Sequence, residues 1–256
     1  MSGELDRRLA ALTDAVEISD GRLSSRDVEA ARAVIDRAGT RLGLGLEATV
    51  VALAGPTGAG KSTLFNALAG AELAAAGRRR PTTSVATAAM WGDAGGALVD
   101  WLEVPRRHMV GNGALGGLVL LDLPDFDSVE RSHRLEVDRL IDLVDLVVWV
   151  VDPQKYADAA WHERYLRRLS AYSDSMLVAL NQADILDADA LAACRADVAR
   201  LLGEDGLSGV PVLVISARTG DGLAALRRAL EERVRAREAA LARLSADVTT
   251  AAAALA

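Results

Sequence analysis

The chain has 256 residues, 51% of them hydrophobic, and a formal net charge of −7. That length holds one large domain with appendages, and the apolar fraction supports a full core. The acidic balance argues against a general nucleic-acid or anionic-membrane surface. No apolar run is long enough to span a bilayer, and the N-terminus lacks the basic flank and apolar core of a signal peptide. The one cysteine, Cys194, excludes an internal disulfide framework, fits a reducing cytoplasm, and lies in a helical pattern where a lone thiol is inert packing.

Residues 1–46 predict a helical segment. Leu5, Leu9, Leu12 and Val16 recur at helical spacing, as do Val28, Ala31, Val34 and Ile35 after the N-cap signal Ser24-Ser25. Gly43-Leu44-Gly45-Leu46 then loosens the chain ahead of a central domain over 47–222. Within it, strands are expected at 49–54, 85–91, 117–122, 144–151, 175–180 and 211–216, alternating with helices at 61–69, 130–142, 157–172, 188–202 and from 222 onward. The strands are rich in Val and Leu rather than alternating, which predicts cover on both faces. The expected fold is α/β, a mostly parallel six-stranded sheet with helices on both faces and flanking N- and C-terminal helices. Residues 92–116 carry six of the glycines (Gly92, Gly95, Gly96, Gly111, Gly113 and Gly116) and read as an irregular insertion around Trp101-Leu102-Glu103-Val104, with room for one short strand. Residues 223–256 form one helical pattern with the stripe Leu226, Leu230, Val234, Leu241, Leu244 and Val248. It has no stop signal, so a longer protein with a further region is expected.

Gly55-Pro56-Thr57-Gly58-Ala59-Gly60-Lys61-Ser62 is G-x-x-x-x-G-K-S between a strand and a helix, the phosphate-binding P-loop. Gly55, Gly58 and Gly60 let the backbone wrap around phosphate oxygens, and the loop and helix N-terminus supply partial positive charge. The predicted phosphate-binding set is Gly55, Thr57, Gly58, Ala59, Gly60, Lys61, Ser62 and Thr63. Lys61 can reach the β- and γ-phosphates and the Ser62 hydroxyl can hold Mg²⁺. Arg78-Arg79-Arg80-Pro81-Thr82-Thr83 follows; a threonine here, Thr83 with Thr82 as alternate, should close over Mg²⁺ and the γ-phosphate. The arginines are either a solvated run or the source of an arginine finger. Asp122, at a strand end, can hold Mg²⁺ through its water shell. Lys61 and Thr83 are thus the catalytic candidates, and Ser62, Thr83 and Asp122 the metal set.

Strand 175–180 ends in Asn181-Gln182-Ala183-Asp184. The Asp184 carboxylate can accept from guanine N1–H and the N2 amine, which adenine cannot offer, and the Asn181 amide can read the purine edge. Ser216-Ala217-Arg218 follows the last strand and completes the base-binding set with Asn181, Gln182 and Asp184. An ATP-dependent kinase or ATPase would leave Asn181 and Asp184 as coincidence.

These motifs, in this order and each behind its own strand, resemble a P-loop GTPase of the translation-factor-related class, on its Era-like, septin-like and dynamin-like side. Pro81-Thr82-Thr83, residues 122–128 and residues 149–158 resemble bacterial GTPases of the YfjP type. The resemblance spans roughly residues 46–235. It implies a G-domain fold, GTP and GDP with Mg²⁺, slow hydrolysis of GTP to GDP, and a conformational switch. It also implies a homodimer through the G domain or the flanking helices and a cytoplasmic site, whereas the acidic balance and the lack of an RNA-binding extension predict no direct nucleic-acid partner. That site would be the cytoplasmic face of a membrane reached through regions outside this chain. The Ala217 N–H is implied on guanine O6. Four positions depart from the family pattern. Asp125 replaces the glycine of Asp-x-x-Gly, and its carboxylate is expected to point away from phosphate. Phe126 stands where a water-orienting glutamine is common. Gln182 replaces the lysine of Asn-Lys-x-Asp, which predicts weaker affinity with guanine preference kept. Gly58 replaces the asparagine that holds an activating K⁺. His133 is the nearest candidate to position water; it, His108 and His162 read first as surface histidines. A nucleotide-binding module with negligible turnover and a ribosome-assembly GTPase are the alternative functions.

Overall fold

A computed structural model describes residues 2–19, 22, 24–38, 47–75, 85–111, 113–128 and 130–255. Its chain order begins with α1 (Ser2–Ser19), α2 (Ser25–Ala38), β1 (Thr49–Ala54), α3 (Lys61–Ala69) and β2 (Thr87–Met90). Next come α4 (Gly96–Trp101), β3 (Arg106–Met109), β4 (Leu118–Asp122), α5 (Arg131–Ile141), β5 (Leu146–Val151) and α6 (Ala159–Trp161). The chain closes with β6 (Met176–Leu180), α7 (Ala188–Glu204), β7 (Val212–Val214) and α8 (Leu223–Leu255). The Val- and Leu-rich runs are strands buried along their whole length in β1, β4, β5 and β6. The sheet order is β3-β2-β4-β1-β5-β6-β7; β2 and β4 are antiparallel and the other neighbours are parallel.

The sheet therefore has seven strands, not the six expected. The extra one, β3, comes from the glycine-rich insertion, which also supplies α4, and it pairs with β2 from Thr87↔Arg106. Arg106, Arg107, His108 and Met109 sit on a sheet edge and are largely exposed, so they carry charge instead of the apolar run that marks a buried strand. The helix expected over 157–172 is also divided. Asp158 caps α6 by accepting from the Ala160 N–H, a wide turn follows at His162–Leu166, and a tighter one covers Ser170–Ser175.

Alternate residues of each strand face opposite layers. Val50, Ala52 and Ala54 join one layer with Val137 and Leu140 of α5 and with Cys194, Val198 and Leu202 of α7. Val51 and Leu53 join the other with Leu64, Phe65 and Leu68 of α3 and Leu226, Leu230 and Val234 of α8. Burial pushes the Cys194 thiol pKa up, as fits an inert packing role.

α8 belongs to two cores. Beyond Val234 it leaves the sheet, and Leu244, Val248 and Ala251 pack with Leu5, Leu9, Leu12 and Val16 of α1 and Val28, Ala31 and Val34 of α2. The result is a three-helix bundle in which each helix touches the other two. The Arg8 Nη1 donates to Ser245 Oγ at 3.0 Å and fixes the axial register of α1 on α8. Among the described residues no helix is long and apolar enough to cross a membrane. Leu9 is fully buried in the bundle. Leu9→Ala should cost about 2–5 kcal/mol through lost burial and the cavity left behind, read as a lower midpoint in urea unfolding; a loss under ~1 kcal/mol would mean that the bundle closes over the gap.

Candidate nucleotide-binding site

β1 lies between β4 and β5, so the chain leaves its C-terminal end at the point where the sheet order reverses, the usual crevice for a ligand. The P-loop follows there. Gly55 is required by close packing: a Cβ would stand 2.1 Å from the Val150 carbonyl oxygen. Gly60 has φ +91°, and a Cβ would stand 2.4 Å from Asn181 Nδ2. The N-cap residue of α3 is Gly60, which has no side chain to cap the helix, and that end of the helix dipole favours an anion.

Lys61 is only 4% exposed. Its Nζ donates to the carbonyls of Gly55 at 3.0 Å and Pro56 at 3.3 Å and pairs with the Asp125 carboxylate. Asp125 thus points into the site rather than away from it. The reason is electrostatic: a buried ammonium needs a counter-charge, and Asp125 supplies one. Two residues on, Asp127 Oδ1 accepts from both the Thr57 N–H and the Thr57 Oγ1–H at 2.7 Å. Lys155 Nζ donates to the Thr57 carbonyl at 2.6 Å and stands 3.6 Å from Asp127 Oδ2. Burial alone would raise the Asp127 pKa, but the two Thr57 bonds and the charges of Lys155 and Lys61 outweigh it and hold the carboxyl below its usual value.

Ser62 Oγ donates to Asp122 Oδ2 at 2.7 Å, and both residues are buried. Hydroxyl and carboxylate oxygens side by side suit a hard divalent ion such as Mg²⁺. Among the described residues no group of three His, Cys, Asp or Glu could hold a metal. Thr83, its alternate Thr82 and the arginines at 78–80 lie outside the described residues. Thr63 is on α3 and exposed.

The base-side loops are tied to the P-loop. Asn181 Nδ2 donates to the Ala59 carbonyl at 2.8 Å, and its Oδ1 accepts from the Ala217 N–H at 2.9 Å. The N–H that the resemblance implies on guanine O6 therefore donates to Asn181 in this structure. Gln182, at φ +60°, donates from Nε2 to the Gly58 carbonyl at 2.8 Å, so it secures the loop even without a lysine's charge. Asp184 Oδ1 accepts from Ser216 Oγ at 2.6 Å, and its Oδ2 pairs with Arg218. The Ser216 bond, ahead of Arg218, lowers the Asp184 pKa.

Phe126 is buried against Tyr165 and Trp149, with ring centroids 5.2 and 6.3 Å away. His133 and His162 are buried, not on the surface. His133 Nδ1 lies 3.2 Å from Ser128 Oγ and Nε2 lies 3.1 Å from Glu130 Oε2. His162 bonds Asp205 through Nδ1 and the Tyr156 carbonyl, 2.9 Å away, through Nε2. His108 is half-buried on the edge strand. The residues that motif reading passed over are Asp127 and Lys155. Both lie in runs that resemble a known group, but nothing in their spacing points to the P-loop.

A P-loop at the sheet's switch point, a serine–carboxylate pair and an Asn-x-x-Asp loop together define a P-loop nucleotide-binding domain. The family model described as a 50S ribosome-binding GTPase matches residues 50–182, and the chain belongs to that family. A curated relative, GTPase Der of Solidesulfovibrio magneticus, is 30% identical over 188 residues, covering 72% of this chain and 36% of its own length. The chain thus spans about a third of that relative. A single-residue variant of Aquifex aeolicus Era bound to GDP·AlF₄⁻ is similar in structure, with 19% identity, 72% of this chain and 56% of that one covered, and a TM-score of 0.53. A chain of an oligomerised bacterial dynamin pair, described as a mechanism for long-range sensing and tethering of membranes, shares 13% identity and covers 98% of this chain and 55% of its own, with a TM-score of 0.61. At these identities the likeness is one of fold. The match to the dynamin chain takes in the helical bundle as well as the sheet domain.

Gly55→Ala should force the loop off β5 and abolish nucleotide binding, measured by calorimetric titration with GDP; retained binding would mean that β5 yields to the methyl group. The Asp127 link should also give a pH signature. Because the folded carboxyl is held below its reference value of 3.8, its contribution is present above that pH and disappears as pH falls through the lowered folded value. Wild type should exceed Asp127→Asn in stability by ~1 kcal/mol at pH 7, with the gap closing below about pH 4; a gap independent of pH would exclude an ionic role.

Proposed function

We propose that this protein binds GTP and GDP with Mg²⁺, hydrolyses GTP slowly to GDP, and works as a conformational switch. The observation that carries this reading is the convergence of Lys61, the Ser62–Asp122 pair and the Asn181–Asp184 loop at the C-terminal ends of the parallel strands. Ser62 and Asp122 would hold Mg²⁺, which neutralises charge on the phosphates when bound. Lys61 binds phosphate and Asp184 selects guanine. Thr83 is assigned to close over the metal and γ-phosphate. A γ-phosphate competes with Asp125 for Lys61, and its arrival would move residues 125–128. The bundle is a fitting output element, because Arg227 of α8 donates to the last carbonyls of α3, Ala67 at 2.8 Å and Leu68 at 2.9 Å.

Self-association through the G domain or the bundle, and membrane engagement through regions outside this chain on the cytoplasmic face, are the corresponding proposals for partners and location. The dynamin-like fold and the runs at 81–83, 122–128 and 149–158 support them, and support the YfjP-type assignment. A ribosome-assembly role takes support from the family description, but a net charge of −7 disfavours direct contact with RNA. A second reading, a binding module with negligible turnover, is favoured by Phe126, whose buried ring offers nothing to orient water.

Calorimetry with GDP, GTP and ATP tests the assignment. Guanine nucleotides should bind at least about a hundredfold more tightly than ATP, and Lys61→Ala should abolish binding; equal affinity for ATP would overturn the guanine reading. Single-turnover hydrolysis then separates the switch from the silent module.

A further inference from the structure

Among the described residues, the P-loop lysine is one of two lysines that donate to carbonyls of this loop. Lys61 takes the carbonyls of Gly55 and Pro56, and Lys155 takes the carbonyl of Thr57. Each cation has a carboxylate from the same three-residue run: Asp125 on Lys61 and Asp127 beside Lys155. Asp127 also feels Lys61, so both positive charges bear on one small region. The G-x-x-x-x-G-K-S pattern accounts for Lys61 and says nothing about Lys155.

Lys155 is presented by a braced turn. Asp152, 4% exposed, accepts the Gln154 N–H on Oδ1 at 2.8 Å, and its carbonyl accepts the N–H groups of Lys155 and Tyr156 at 3.1 Å. Tyr156 Oη donates to Asp197 Oδ2 at 2.9 Å, and the Tyr156 carbonyl bonds His162. A side chain so fixed loses little freedom on meeting an anion, and at 31% exposure its ammonium remains reachable.

We propose that Lys155 is the second cation of a γ-phosphate subsite: any bound phosphate takes Lys61 from Asp125, but Asp127 stays beside Lys155 until a triphosphate displaces it. This rests on the reading of the site as one for guanine nucleotides. A diphosphate engages Lys61 alone. A triphosphate brings the further charge that can replace the carboxylates at both lysines, so Lys155 is a specificity-determining residue for GTP over GDP. Displacing Asp127 also releases the Thr57 N–H and hydroxyl, donors that the extra phosphoryl oxygens can use.

The test is calorimetric titration of the full chain with GDP and with GTPγS, both with Mg²⁺, for wild type, Lys155→Met and Lys155→Arg. Lys155→Met should lose about tenfold or more in GTPγS affinity while GDP affinity changes less than about threefold, and Lys155→Arg should recover most of the loss. Equal weakening of both nucleotides would make Lys155 a mere support of the P-loop and overturn the proposal, as would no change in either. Wild type that binds neither nucleotide would overturn the guanine reading itself, so the two failures are distinct. Asp127→Asn guards against misfolding of the lysine variants: it should raise the GTPγS-to-GDP affinity ratio, and a fall in that ratio would overturn the proposal.

Discussion

A positive charge set beneath the P-loop, where water scarcely reaches it, governs the site. Lys61 needs an anion, because an ammonium stripped of hydration is strongly disfavoured without one. The P-loop carbonyls offset part of that demand and Asp125 meets the rest. Since a buried pair gains little net energy over its desolvation cost, the consequence is less one of stability than of exclusivity: one anion at a time can occupy that lysine. The neighbours of Asp125 inherit the constraint. Phe126 is drawn into the Trp149–Tyr165 cluster and Asp127 is laid on Thr57. The Lys61–Asp125 contact, the Phe126 ring packing and the Asp127–Thr57 bonds together fix the path of residues 125–127.

The second constraint is mechanical. α3 starts at the phosphate site and ends on Arg227, whose guanidinium satisfies carbonyls that the helix terminus leaves over. Arg227 lies on the same 33-residue helix that forms a third of the bundle core. A helix with no internal glycine or proline bends little. Changes at the start of α3 therefore have a stiff route to α1 and α2.

Much of this was readable from the chain. The apolar runs located six strands within a few residues, and the glycine spacing located the P-loop, because a strand covered on both faces and a loop wrapped on phosphate both impose local composition. Asn181, Asp184 and Ser216 were found by their positions behind strands. Asp127 and Lys155 were not, since an aspartate and a lysine in polar turns look the same whether they face solvent or a loop. The insertion at 92–116 had room for one short strand, but the bounds and pairing of β3 stayed hidden for a related reason: an edge strand is allowed to be charged. His133 and His162 were misplaced because buried histidines are recognisable only by their partners.

Local rules of residue type and spacing thus located the layer architecture, the P-loop and the Asn181–Asp184 loop. Three further features depended on contacts between distant parts of the chain. Asp125 turns inward because Lys61 is buried 64 positions earlier. Lys155 reaches Thr57 across 98 positions and Asp127 reaches it across 70. α8 joins the sheet to the bundle only because α1 and α2, at the other end of the chain, supply the apolar faces for its second half. No periodicity encodes such pairings; they exist once folding brings a buried charge to its counter-charge and one apolar stripe to another.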